Sequence, residues 1–139
     1  MVLAWPYLAL RNRLRTQRFA RLAAGAREEP ATILEDRLVV GELSLPFAQI
    51  RAARALVHDH YSMASGLDEE LLLVLEHPGG RLVLCGYHLW SAHEALVARG
   101  LLLPTPEPGG MSNNLALSLS GLAWVALALL TIFVVSVVR

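Results

Sequence analysis

The chain has 139 residues, room for one hydrophobic core plus appendages given that domains take about 100–200 residues. Its formal net charge is zero but unevenly spread, with six Arg and no acid in residues 1–27 against five Arg and twelve Asp or Glu in residues 28–138. The acidic body repels phosphate and argues against specific nucleic-acid binding, and the single cysteine excludes an intramolecular disulfide, a zinc ribbon and a CxxC redox motif.

The first ten residues, MVLAWPYLAL, place an apolar run ahead of the arginines and lack a small-residue cleavage site, so they do not read as a signal peptide. The expectation is that the basic head and the folded part face the cytoplasm. Residues 7–24 suit a helix: Leu10, Leu14 and Leu22 recur near one face, and Arg11, Arg15 and Arg18 share another. With Trp5 and Tyr7 this basic amphipathic segment suits anionic headgroups, each arginine near the surface contributing on the order of 1 kcal/mol. Arg11, Arg13, Arg15, Arg18 and Arg21 are thus candidate contacts to a membrane surface or a partner, the alternative being a solvated face of a helix packed on the domain. All twelve basic residues are Arg, a bias that fits a GC-rich bacterial genome.

Gly25–Pro30 breaks the helix and closes a first segment, residues 1–30. TILEDRLVVGELSLPF then reads as a meander of short strands. AQIRAARALVHDHY fits both periods, since Phe47, Ile50, Val57 and Tyr61 match helical spacing and Ile50, Ala52, Arg54 and Leu56 match strand alternation. SMASGLDEE reads as a loop. LLLVLEHPGGRLVLCGYHL is the clearest hairpin, with strands over 71–76 and 81–87 around His77 to Gly80. A helix follows, opened by a capping box of Ser91 and Glu94 and stopped by Gly100. Residues 31–103 form the expected domain, and the prolines and glycines of 104–114 mark an extended linker.

From Leu115 to Val138 the chain runs 24 residues without a charge. As a helix that is about 36 Å, longer than a hydrocarbon core of about 30 Å. The reading is a single-pass transmembrane helix in a tail-anchor layout, with the hydroxyls of Ser118, Ser120, Thr131 and Ser136 returned to carbonyls one turn back. Ala116 and Ser120 make a small-xxx-small pair, and Trp124 lies deeper than the interfacial belt, so these three are candidate helix–helix contacts.

The order "ILEDRLVV", "LSLPFAQI", "LLLVLEHPGGRLVLC" and "SAHEALVARGLL" resembles the bacterial pleckstrin-homology-like domains over about half of the chain. The resemblance implies an α+β fold, a small bent antiparallel sheet or barrel capped by a C-terminal helix, to which the basic N-terminal helix and the transmembrane helix are added. Two departures limit it: the N-terminus is helical where strands are wanted, and only Arg37 is basic in the first loops. Phosphoinositide binding is therefore not carried over, and a fold of this kind names no chemistry.

No catalytic motif is present. His58 and His60 with Asp59, and His88 with His93, lack a third ligand and helical i, i+4 spacing, so no metal or other cofactor is expected. Cys85 sits in an apolar run as a small hydrophobe, and Asp68, Glu69 and Glu70 read as a solvated edge. The expectation is a non-enzymatic adaptor or accessory subunit at a membrane, its partners the lipid bilayer, anionic headgroups and one or more membrane proteins. The alternative is an integral subunit of a larger membrane complex, with an enzyme of unrecognised site behind both.

Overall fold

A computed structural model describes the backbone of residues 4–62 and 66–138, and the side chains of 6–60, 66–112, 119 and 121–136. Helix α1 (Ala4–Ala23) leads into three short strands, β1 (Ala31–Ile33), β2 (Arg37–Val40) and β3 (Leu43–Pro46). Long strands β4 (Ala52–Ser62) and β5 (Gly66–His77) follow, then β6 (Gly80–Gly86), α2 (Trp90–Ala98), β7 (Glu107–Met111) and α3 (Asn113–Val138). The strands form two sheets, β1-β2-β3 and β6-β5-β4-β7, antiparallel except where β7 runs parallel to β4.

Strand β5 explains the layering. Its run Leu71 to Leu75 is buried at every position, which a strand achieves only when both faces of its sheet are covered. Leu71, Leu73 and Leu75 face the main core with Leu38, Val40 and Leu45 of the small sheet and Leu89, Ala92 and Leu96 of the α2 region. Leu72 and Val74 face the other way, into a second core with Leu56, Cys85 and Phe19 of α1. The four-stranded sheet is thus the middle layer, with α1 on one side and the small sheet plus α2 on the other.

The structure corrects the expected fold class in three respects. The two sheets share no ladder, because β3 passes into a 3-10 turn, Phe47–Gln49, before β4 begins in the second sheet; the strands form no closed antiparallel barrel among the described residues. Part of the 104–114 segment is a strand, β7. The transmembrane helix is not supported: among the described residues, no helix is long and apolar enough to cross a membrane. Helix α3 runs from Asn113 to Val138.

Local details follow from sequence chemistry. The ambiguous 47–61 segment is mostly strand β4, and the segment read as a loop supplies the start of β5 after residues 63–65, which lie outside the described residues. The 71–87 hairpin forms around Pro78 and Gly79, with Gly80 at φ 125°. The Ser91–Glu94 capping box does not: α2 starts at Trp90, and its N-cap position, Leu89, makes no side-chain cap bond. At the other end Gly100 acts as expected, at φ 70°. Its N–H bonds Val97 O and the Leu101 N–H bonds Leu96 O, the paired bonds of a Schellman stop.

Candidate functional site

Two neighbouring elements stand out chemically: α1, with five arginines and no acid, and α3, whose described side chains are all exposed. Helix α1 is fixed by β7, and α3 follows that strand in the chain. Asn12 behaves like a peptide unit against that strand, accepting the Met111 N–H at 2.8 Å and donating to Met111 O at 3.4 Å, while Thr16 Oγ1 donates to the same carbonyl at 3.3 Å. The side chains therefore satisfy main-chain groups at the edge of the sheet. Twin glycines make this approach possible. A Cβ on Gly109 would meet Phe19 at 2.7 Å and Val57 O at 2.8 Å, and one on Gly110, at φ 98°, would collide with Thr16.

The docked face of α1 is Asn12, Thr16, Phe19 and Ala23, spaced i, i+4, i+7 and i+11. Phe19 is 5 % exposed and stacks on His58 at 4.9 Å between ring centroids. Leu22 packs beside it, but Leu10 and Leu14 do not take part: both are exposed, with Tyr7 and Leu8. The leucine periodicity thus marks a mixed apolar and basic outer surface rather than a core face.

The sequence-selected arginines divide. Arg18 reaches Glu107 Oε2 at 3.7 Å, and Arg54 makes a two-pronged bond to the same carboxylate at 2.7 and 2.9 Å. The Arg54 hydrogen bonds hold the Glu107 carboxyl below its usual range, with the charges of Arg54 and Arg18 adding to the effect. Arg11, Arg13, Arg15 and Arg21 have no acidic partner among the described residues. Arg11, Arg15 and Arg18 line a groove on the outer flank of α1 with Tyr7, Leu10 and Leu14. A second groove, of about 300 Å³, lies between α1 and α3 and is lined by Leu8, Ala9, Arg11, Asn12, Arg15, Met111 and Leu119.

Helix α3 starts just after β7, where the Ser112 N–H bonds Asp59 O at 2.8 Å. Leu122, Leu127, Leu130, Phe133 and Trp124, the last 69 % exposed, point to different sides of the helix, which has no charged face. Its described hydroxyls are satisfied internally, Thr131 Oγ1 donating to Leu127 O at 2.8 Å and Ser136 Oγ to Phe133 O at 2.7 Å. Trp124 has no described contact to another helix, and the side chains of Ala116 and Ser120 lie outside the described residues.

The remaining candidates resolve into structural roles. His77 Nδ1 accepts the Gly79 N–H at the hairpin turn, and His88 Nε2 lies 3.2 Å from Glu29 O. His93, 3 % exposed, sits edge-on to Trp90. Among the described residues no group of three His, Cys, Asp or Glu could hold a metal ion. The Cys85 thiol donates to Glu70 Oε1 at 3.2 Å, and burial, with that carboxylate, pushes its pKa up to about 12. It stays a protonated thiol near neutrality and is a poor nucleophile.

No family model matches the chain, and comparisons with curated proteins and with solved structures find no match. The functional reading therefore rests on the surface formed by α1 and α3. What sequence reasoning missed is the clasp on β7: Asn12, Thr16, Gly109 and Gly110 carry no motif, and Asn12 and Thr16 interrupt the leucine and arginine pattern without announcing a strand partner.

Proposed function

We propose that this chain is a membrane-attached adaptor, its α+β domain held at a bilayer by α3 and oriented by the arginines of α1. The observation that carries the reading is the exposure of large apolar side chains around the described part of α3. An amphipathic partner groove would leave such a helix half in water; acyl chains cover every side. The internal bonds of Thr131 and Ser136 suit the same surroundings, because a hydroxyl without water otherwise goes unpaired. The reading requires immersion in the apolar phase and no crossing of it.

The arginines complement the helix. Tyr7, Leu8 and Leu10 are exposed on the same first turns of α1 that approach Leu119, so apolar contact and positive charge meet where α3 leaves the domain. Anionic headgroups satisfy both. The domain then stands at the surface as a recognition unit for another protein.

Flotation of the full chain with liposomes tests this. Replacing Leu122, Leu127 and Leu130 by serine removes roughly 1–2 kcal/mol of transfer free energy each, so partitioning should fall by about a hundredfold or more. Equal flotation of the parent and the triple variant would contradict the reading.

A further inference from the structure

The groove between α1 and α3 differs from the rest of the basic surface. Its lining is apolar at Leu8, Ala9, Met111 and Leu119 and cationic at Arg11 and Arg15. Asn12 also lines it, but its amide is taken up by the Met111 backbone. At about 300 Å³ it falls at the low end of the volumes of small-molecule sites.

We propose that this groove binds one phospholipid with an anionic headgroup, its phosphate on Arg11 and Arg15 and the upper part of an acyl chain against Leu8, Ala9, Met111 and Leu119. Arg11 and Arg15 are i, i+4, neighbours on one helix face, close enough for two guanidinium forks to share a phosphate. Neither is paired with an acid among the described residues, whereas Arg18 on the same flank is drawn to Glu107. Charge complementarity thus selects the headgroup, and the apolar part of the lining, which includes Leu119 of α3, selects a chain-bearing ligand over free phosphate.

The inference rests on the membrane reading, and the experiment separates the two by working in detergent, where no bilayer is needed. The full chain in a neutral detergent is titrated with phosphatidylglycerol and, separately, phosphatidylcholine, and bound lipid is counted by native mass spectrometry. One phosphatidylglycerol per chain is expected, with phosphatidylcholine weaker by at least about tenfold. The pair Arg11→Gln and Arg15→Gln should abolish that preference, and Ala9→Trp, which fills the groove without changing charge, should lower retention of the lipid. The pair Arg27→Gln and Arg51→Gln, an equal charge loss at exposed positions outside α1, should leave the one-lipid complex in place. Equal binding of both lipids, or equal loss in the two arginine pairs, would overturn the site; if flotation on liposomes persists in that case, membrane attachment stands without it. Thermal melts matching the parent confirm that the exposed Arg11 and Ala9 positions were changed without unfolding.

Discussion

Phe19→Ala should lower stability by about 3–5 kcal/mol, the usual cost of removing a buried aromatic ring. Phe19 is 5 % exposed in the second core with Leu56, Leu72, Val74 and Cys85, and its ring stacks on His58 at 4.9 Å. A domain of this size has about 5–15 kcal/mol in all, so the loss removes a large share of it. Urea unfolding in a mild nonionic detergent, followed by circular dichroism, reads this out. With a slope of about 2 kcal/mol per molar, the midpoint should fall by about 1.5–2.5 M while the slope holds. A fall below about 0.5 M would mean that α1 is not docked on the sheet and that the clasp at β7 does not form in solution.

Gly110→Ala should detach the same helix from the other side, since its Cβ meets Thr16 and the residue must hold φ 98°; a loss of about 2 kcal/mol or more is expected, with faster amide exchange at Met111. Glu107 has a lowered folded pKa, so its contribution is present above its reference value of 4.5 and is lost as pH falls below that through the folded value. The effect is small because the side chains are about half exposed, and Glu107→Gln should flatten the acid limb of a stability–pH curve between pH 4.5 and lower values. Cys85 has a raised folded pKa, so stability should decline as pH rises from 9.0 toward 12, and Cys85→Ser should remove that decline. Native Cys85 should also resist alkylation at pH 8 and react only on unfolding.

The legible parts of the sequence were those whose local chemistry and tertiary role agree. The hairpin around Pro78 and Gly79, the α2 stop at Gly100 and the basic helix were all visible because turn glycines, proline and charge act over a few residues. Strand β7 was not, because EPGGM carries only one large apolar side chain and no alternation. Its glycines are there for the closeness of α1, a contact between residues about a hundred positions apart. The docking face of α1 was not legible for a related reason: Leu10 and Leu14 dominate the hydrophobic pattern, but the sheet is met by Asn12, Thr16 and Phe19. The run Leu71 to Leu75 reads equally as one strand of an isolated hairpin or a strand buried on both sides, and only the position of α1 decides between them. The long apolar stretch after Asn114 is helical, yet a charge-free sequence says nothing about which phase surrounds it.

Immersion of α3 is most directly measured at Trp124. The chain has three tryptophans, so Trp5→Phe with Trp90→Phe leaves Trp124 as the sole reporter, on a helix face that the domain does not cover. On liposomes its emission should shift to the blue and be quenched by lipids brominated along the acyl chain. Emission typical of water, unquenched by those lipids, would contradict the account that α3 holds this protein in the apolar phase of a membrane.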